Sequence, residues 1–329
     1  MDDFQHEGPN GNHACLVFEL MGETLRSFGV WFKECMVATT IMRRFSWQLV
    51  VALDFAHASG VIHTGKLFGK HANYRVQTGC PAGEPLLHKI PKLIVIIRHQ
   101  ARQRLCQILD KSQIKHYLAN EVIPQQDRTK AQYTPILSSL LRRYYFNTDP
   151  GRFNDLNITL GDWGVSSWTT KHLTENMQPV ALQAPEVLIK ALWDNKADFW
   201  NLGAVLFEVY RAIRLFDGRV GPDGHYELKK HLSEIVSVFG PFPKDLLEKG
   251  DPEIVKGIFN EEGKVDLEGP GEYPPLGSEE FLPDLDPETR EVSASFLRFI
   301  MKVNPADRPT PGEMVEHPWL TPKWVLKGP

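Results

Sequence analysis

Residues 193–214 read WDNKADFWNLGAVLFEVYRAIR, and this stretch decides the fold. Its apolar side chains recur with helical spacing, which predicts a long helix with an extensive buried surface. Similar patterns run from Leu228 to Phe239 and from Ser293 to Val303. The second half of the chain is therefore predicted to be mostly helical.

The first part of the chain has a different pattern. Residues 14–20 form a compact apolar run after the turn-rich segment 8–12, which predicts a strand of a β-hairpin. Helical spacing from Ile41 to Ser59, with Gly60 as a stop signal, predicts a helix. No clean periodicity survives from Gly65 to about Cys106.

Composition excludes several classes of protein. The 329 residues include 41 acidic and 37 basic side chains, so no overall positive field draws the chain to nucleic acid or anionic lipid. The four cysteines form no CxxC pair, which suits a reducing compartment. The N-terminus lacks the pattern of a leader, and the apolar run Leu93 to Ile97 is too short to cross a bilayer. We expect a monomer in the cytoplasm, the nucleus or both.

Four short signatures occur in a fixed order: Asp162-Trp163-Gly164, Ala184-Pro185-Glu186, Asp198 to Gly203, and Asp307-Arg308-Pro309. Each signature is weak alone. With the strand Leu16 to Leu20 and Val61-Ile62-His63 upstream, the set resembles the C-terminal lobe of a protein kinase. The segments that resemble the SR-protein kinases and their fungal relatives more closely are 16–25, 62–64, 197–203 and 231–235. The resemblance covers residues 1–64 and about 107–329.

This resemblance implies an α+β, protein-kinase-like fold. Residues 1–22 would be a remnant of the small lobe and the hinge, and residues 23–329 would be the helical lobe. It also implies a serine/threonine kinase that uses ATP and Mg²⁺ to phosphorylate Ser in Arg-Ser-rich proteins such as splicing factors. Neither direct nucleic-acid binding nor a membrane is expected.

The resemblance assigns a nucleotide site. Asp162 matches the carboxylate that binds Mg²⁺ at the phosphates, although alone it could be an ordinary turn residue. Phe18 would lie at the back of the adenine slot, with the Glu19 C=O and the Met21 N–H at its edge. The alternative is that these three belong to a plain buried strand.

The resemblance assigns structural roles to four residues. Glu186 and Arg308 would form a buried ion pair, and Asp198 would accept N–H groups of the catalytic loop's backbone. His63 is also assigned a structural role. Asp198 could otherwise be a solvated residue at a helix start. Trp163 is expected only to pack. The 162–186 segment contains Thr169, Thr170 and Thr174, with no obvious Arg cluster to bind a phosphate on them. The resemblance therefore implies activity without activation-loop phosphorylation.

The kinase pattern breaks directly after Thr64. An Asp that orients the substrate hydroxyl and an Asn five residues later are expected there, but residues 65–69 read GKLFG. About 15 residues precede the hinge strand, too few for the Gly-rich loop, the strand Lys and its Glu partner. No intact catalytic residue is assigned, and the chain is predicted to be inactive.

Residues 65–106 have a specific explanation as an anomalous insert. Codons for Gly65-Lys66-Leu67 can contain the 5′ splice signal of an intron, and a codon for Arg98 can supply the AG at which that intron ends. Joining the flanks permits Asp directly after Thr64, and reading residues 99–106 in the shifted frame permits Ile-Lys-Pro-Asp-Asn-Val-Cys. We interpret the segment as a retained intron followed by a frameshifted exon, poorly ordered or loosely attached in this chain.

Two functional hypotheses remain open. In the first, the chain is a defective form of an SR-protein-type kinase. In the second, it is a pseudokinase or binding module that docks partners through Leu228 to Phe239 and Lys244 to Lys249. The basic run Arg98 to Arg104 allows a nucleic-acid patch, but an exposed solvated run is the simpler interpretation.

Overall fold

The fold is described from a computed structural model. The described residues are 2–8, 11–17, 25–29, 32, 36–65, 95–96, 119, 158–161, 163, 166–175, 177–221, 223–265 and 273–321. The chain divides into two compact units: Met1–Thr24 with Val95–Thr159, and Leu25–Ile94 with Leu160–Pro329. The second unit contains His63, Asp198, Glu186 and Arg308.

The described strands are short except for an N-terminal hairpin. β1 (Asp2–Gly8) pairs antiparallel with β2 (Gly11–Val17), with Gly8 opposite Gly11. This confirms the predicted hairpin, although β2 begins before the predicted apolar run. The other strands are β3 (Val61–Ile62), β4 (Val95–Ile96), β5 (Thr159–Leu160), β6 (Ser167–Trp168), β7 (Arg219–Val220) and β8 (His225–Tyr226). β3 pairs antiparallel with β6, and β7 pairs antiparallel with β8.

The described part of the second unit is rich in helices, as predicted. They are α1 (Leu25–Gly29), α2 (Thr39–Ala58), α3 (Pro185–Leu188), α4 (Lys196–Arg211), α5 (Leu228–Phe239), α6 (Lys244–Leu247), α7 (Pro252–Ile258), α8 (Pro287–Ile300) and α9 (Pro311–Glu316). Short 3-10 turns occupy Val180–Leu182 and Pro305–Asp307. The α+β class is confirmed.

α4 lies at the centre of the second unit. Every side chain from Ala197 to Glu208 is buried, which explains why this stretch has no polar face. α4 contacts α1, α2 and α8, while α9 packs on α2. The helix is shorter than the 193–214 prediction because it ends at Ala212, which adopts left-handed backbone angles (φ 57°).

The C-terminal helices begin at clear capping signals. Asp286 accepts the Thr289 N–H at the start of α8, and Pro287 occupies the first turn. α8 therefore begins six residues before the predicted Ser293 and ends at Ile300, before the predicted Val303. Thr310 and Glu313 form a reciprocal capping box at the start of α9.

Within the described ranges no helix combines the length and hydropathy needed to cross a membrane. Most of the anomalous 65–106 segment lies outside the described residues, apart from Gly65 and the two residues of β4. The predicted boundaries at residues 22, 65 and 106 stay predictions.

Candidate functional site

Asp198, in the first turn of α4, holds the backbone that follows β3. Its Oδ2 accepts the backbone N–H of His63 (2.8 Å) and its Oδ1 accepts that of Thr64 (3.0 Å). The carboxyl group is buried, so these charge-assisted hydrogen bonds compete little with water. The predicted N–H acceptance by Asp198 is therefore present in the structure.

Two histidines complete this junction. His57 Nε2, from the last turn of α2, lies 2.8 Å from Asp198 Oδ2. His63 Nε2 lies 2.8 Å from the carbonyl oxygen of Gly161, the residue before Asp162. The first turn of α4 thus connects the end of α2 with the turn after β3, and His63 connects that turn with the chain leading to the predicted magnesium ligand.

Trp163 does more than pack. Its indole N–H donates to the Leu160 carbonyl (3.1 Å), and its ring meets the His63 ring edge-on with centroids 4.9 Å apart. The side chain keeps 41% of its surface exposed. A Phe at this position would lack the N–H donor, so Trp163 adds a tether that the packing prediction did not include.

Gly65 occupies the position at which the resemblance expects the catalytic Asp. Its backbone has φ 47°, a left-handed conformation that favours glycine. A Cβ at this residue would lie 3.2 Å from Asn201 Oδ1, closer than an ordinary contact. In this structure the turn is therefore adapted to glycine.

Gln178 is a buried polar junction that the sequence did not single out. Its Nε2 donates to the Ala197 carbonyl (2.9 Å), and its Oε1 accepts the Ala184 N–H (2.9 Å). Its backbone N–H donates to the Thr64 carbonyl (3.0 Å). A buried Gln outside any regular element has no periodicity or motif signal that could have found it.

Glu186 and Arg308 form a bidentate ion pair with both side chains fully buried. Arg308 Nη1 lies 2.6 Å from Glu186 Oε1, and Nη2 lies 2.7 Å from Oε2. The guanidinium also donates to the carbonyls of Lys196, Lys302 and Val303. This pair joins α3 to the turn before α9 and to the start of α4.

The helix assigned to partner docking, α5, contains two buried titratable groups. Glu234 accepts the N–H groups of Asp217 (3.0 Å) and Gly218 (3.1 Å), while burial raises the pKa of its carboxyl. Burial also lowers the pKa of His231 to about 3, and its Nδ1 lies 3.2 Å from the Tyr226 hydroxyl. Residues 231–235 are all buried, so this part of α5 faces its own lobe.

The predicted nucleotide site lies outside the described residues. Phe18, Glu19, Met21 and Asp162 all fall there, so no distance or contact is assigned to them. In the described part of the chain, no cluster of three His, Cys, Asp or Glu side chains could hold a metal ion. The four predicted structural residues, in contrast, are all described, and they lie in two buried networks: His63 with Asp198, and Glu186 with Arg308.

Comparison with known proteins matches residues 152–320 to the protein kinase domain. Protein kinase dsk1 of Schizosaccharomyces pombe is 26% identical, over 97% of this chain and 68% of dsk1. Serine/threonine-protein kinase SRPK of Physarum polycephalum is 24% identical, over 97% of this chain and 70% of SRPK. SRSF protein kinase 3 of Mus musculus is 29% identical over 53% of this chain and 30% of its own length. The matched domain includes Glu186, Asp198 and Arg308.

Proposed function

We propose that the gene for this chain, which belongs to the protein kinase family and is of the SR-protein kinase type, encodes an active enzyme. The proposed enzyme uses ATP to phosphorylate Ser in Arg-Ser-rich proteins. We further propose that the chain with residues 65–106 in place does not transfer phosphate. By family it is a serine/threonine kinase, whereas its substrate and the inactivity of this form are proposals.

The observation that carries the proposal is the Asp198 junction. Phosphoryl transfer depends mainly on positioning and charge neutralisation, so the backbone next to the substrate hydroxyl must be held rigidly. Asp198 holds the N–H groups of His63 and Thr64, the two residues directly before the expected catalytic Asp. This arrangement is what a kinase catalytic loop needs at its start.

Gly65 supports the proposed inactivity. A kinase needs a carboxylate here to orient the substrate hydroxyl, and loss of such a group lowers the rate by orders of magnitude. Glycine provides no side chain, and its left-handed backbone is adapted to having none. In the proposed spliced product, Asp would follow Thr64 directly and Asn would follow five residues later.

For ATP and Mg²⁺ the assignment rests on the sequence. Asp162 would hold the metal, and Phe18 with the backbone of Glu19 and Met21 would hold the adenine. When bound, Mg²⁺ neutralises charge on the phosphates. His63 contributes by holding the Gly161 carbonyl beside Asp162.

A second candidate function is a pseudokinase that binds partners without catalysis. Gly65 is the observation that favours it. Residues 231–235 of α5 are buried, so partners would use the exposed side chains at either side of them and around α6: Lys229, Ser237, Lys244, Asp245, Glu248 and Lys249. A transcript that keeps residues 65–98 would give this candidate the lead.

The test begins with sequencing of the messenger RNA across the codons for Thr64 to Asp110, read together with its 5′ end. Both protein forms are then expressed and incubated with ATP, Mg²⁺ and an Arg-Ser repeat peptide, with a Ser→Ala version of the peptide as the control. We expect phosphate transfer by the spliced product that also carries the Gly-rich loop, the strand Lys and its Glu partner encoded at the 5′ end of the message, loss of transfer in its Asp162→Asn variant, and none by the chain described here. Transfer by the latter would refute its inactivity, and a silent spliced product would refute the kinase proposal.

A further inference from the structure

We propose that α2 carries a docking surface for the residues that follow Thr321. The surface is the α2 ridge, which is formed by Trp47, Val51 and Phe55, and its occupant is the segment 322–327 of the same chain. This inference goes beyond the proposed function, because it concerns neither ATP nor a protein substrate.

The first observation is that three large apolar side chains of α2 face solvent in one row. Trp47 is 43% exposed, Val51 is 41% exposed and Phe55 is 75% exposed. Residues four positions apart are neighbours on a helix surface, so the three side chains form one continuous stripe. The other apolar face of α2, which includes Leu49 and Leu53, is buried. A surface helix needs only one apolar face to pack on its lobe, and a second, exposed one indicates an interaction surface.

The second observation is that the chain near its last described residues is fixed at the start of this row. The Arg43 guanidinium carbon lies 4.7 Å from the centre of the Trp319 ring, and Arg43 Nη1 donates to the Pro318 carbonyl (3.4 Å). The Trp319 indole N–H donates to Ser46 Oγ (3.2 Å). Arg43 lies one helical turn before Trp47 and in the same row, so the chain is held beside the first residue of the α2 ridge.

The sequence after Thr321 has the composition and the length that the α2 ridge requires. Residues 322–329 read PKWVLKGP, in which the apolar run 324–326 lies between two lysines. These residues lie outside the described part of the chain. Six residues can span up to about 20 Å. The distance along α2 from Arg43 to Phe55 is about 18 Å at 1.5 Å per residue, so the apolar run can reach the α2 ridge.

The size of the α2 ridge favours this segment over a second copy of the chain. At their exposed fractions, Trp47 and Phe55 together offer roughly 250 Å². A stable dimer needs about 800 Å² on each partner. A short tethered segment needs less area, because the tether gives it an effective concentration of about 1 mM. Asp54, which is exposed beside Phe55, also offers a negative charge to the lysines of the segment.

Docking of the segment stabilises the end of α2 that supports the Asp198 junction. Phe55 lies about half a turn before His57, whose Nε2 is 2.8 Å from Asp198 Oδ2. Helix ends open more easily than helix centres, and an apolar contact on the last turns of α2 opposes this opening. The α2 ridge thus connects the segment after Thr321 with the residues that hold the turn after β3.

The primary test is photocrosslinking in the full chain. The photoreactive amino acid p-benzoylphenylalanine replaces Trp324, and single chains are separated from linked pairs on a denaturing gel after irradiation. Mass spectrometry of the digested single chain then identifies the linked peptides. We expect links from position 324 to the peptide that contains residues 47–55. The absence of such links, or links formed mainly between two chains, would overturn the proposal.

Two variants of the crosslinking chain distinguish the α2 ridge from a nonspecific apolar contact. Val51→Gln combined with Phe55→Gln replaces two exposed side chains and should reduce the yield of the link about fivefold or more, because apolar burial is lost. Leu192→Gln is the matched control, since Leu192 is 90% exposed between α3 and α4. We expect it to leave the yield unchanged, and equal yields from the two variants would contradict the proposal. Far-ultraviolet circular dichroism checks that both variants fold.

Amide hydrogen exchange on the full chain tests the consequence for α2. Trp324→Ser combined with Leu326→Ser should speed exchange of residues 55–58 about threefold, because the last turns of α2 lose their apolar contact. Exchange in α8, on the buried side of the lobe, should not change. If exchange at residues 55–58 stays the same while the crosslink to the α2 ridge forms, the stabilising role is refuted.

Discussion

Replacing Arg308 with Met should be among the most destabilising single changes in the chain. The substitution leaves Glu186 fully buried without its bidentate partner, since the two side chains meet at 2.6 and 2.7 Å with no exposed surface. Removing one partner of a buried ion pair costs about 3–5 kcal/mol. The lost bonds to the Lys302 and Val303 carbonyls add to this cost, so the upper end of the range is expected.

The measurement is urea unfolding followed by far-ultraviolet circular dichroism. With a slope of about 3 kcal/mol per molar urea, a loss of 3–5 kcal/mol lowers the midpoint by about 1–2 M. Arg298→Met is the matched control, because Arg298 also lies 2.9 Å from a carboxylate, that of Glu291, but both side chains are exposed. An exposed pair is worth less than about 1 kcal/mol.

A double-mutant cycle separates the charge from the other contacts of Arg308. Glu186→Gln removes the buried charge, so Arg308→Met should cost less in that background than in the original chain. The coupling energy should exceed about 1.5 kcal/mol. Equal midpoint shifts for Arg308→Met and Arg298→Met, or a coupling near zero, would refute the conclusion that burial makes this pair important.

Three further changes test other parts of the structure. Burial lowers the pKa of His231 to about 3, so below about pH 6.5 the unfolded chain binds a proton that the folded chain does not. The free energy of unfolding should therefore fall as the pH drops from about 6.5 toward 3. His231→Leu should reduce the change of the urea midpoint between about pH 7.5 and 5. Gly263→Ala should lower the free energy of unfolding by about 2–4 kcal/mol, because φ is 73° and the new Cβ would clash with the Phe242 carbonyl oxygen. Gly257→Ala is the control, because a Cβ there meets no neighbour within a helix. This change should be neutral or stabilising by up to about 1 kcal/mol, as measured by urea unfolding. Asp198→Asn should cost about 2 kcal/mol or more and speed amide exchange at His63 and Thr64, and retained protection there would contradict its role as their acceptor.

Apolar periodicity predicted the helix bounds of the second unit well where one face of the helix is apolar and buried. α5 has the predicted bounds Leu228 to Phe239, because its apolar spacing is regular and Gly240 (φ 92°) ends it. α8 was predicted too late, since its first turns are polar and carry no apolar period. The Asp286-Pro287 cap was a readable signal for its true start.

The resemblance identified the site residues that belong to its motifs and missed those that do not. The resemblance placed Asp198 against the backbone of the catalytic loop, and Glu186 beside Arg308, although each observed contact joins residues more than a hundred positions apart. Gln178 and His57 were not predicted, because their roles depend on tertiary contacts that leave no local pattern. The nucleotide-site assignments Phe18, Glu19, Met21 and Asp162 stay predictions.

The described contacts imply that the buried hydrogen bonds that stabilise the lobe do not depend on the residues needed for phosphate transfer. Asp198, Gln178 and Arg308 make their buried hydrogen bonds with no carboxylate after Thr64, so a stable lobe is no evidence of catalysis. Under the proposed inactivity, catalysis would also need more than one substitution. Aspartate in place of Gly65 would meet a left-handed backbone and a Cβ contact of 3.2 Å to Asn201, and it would still lack the Asn expected five residues later. The turn would therefore have to be rebuilt as a unit, which a single point mutation does not do.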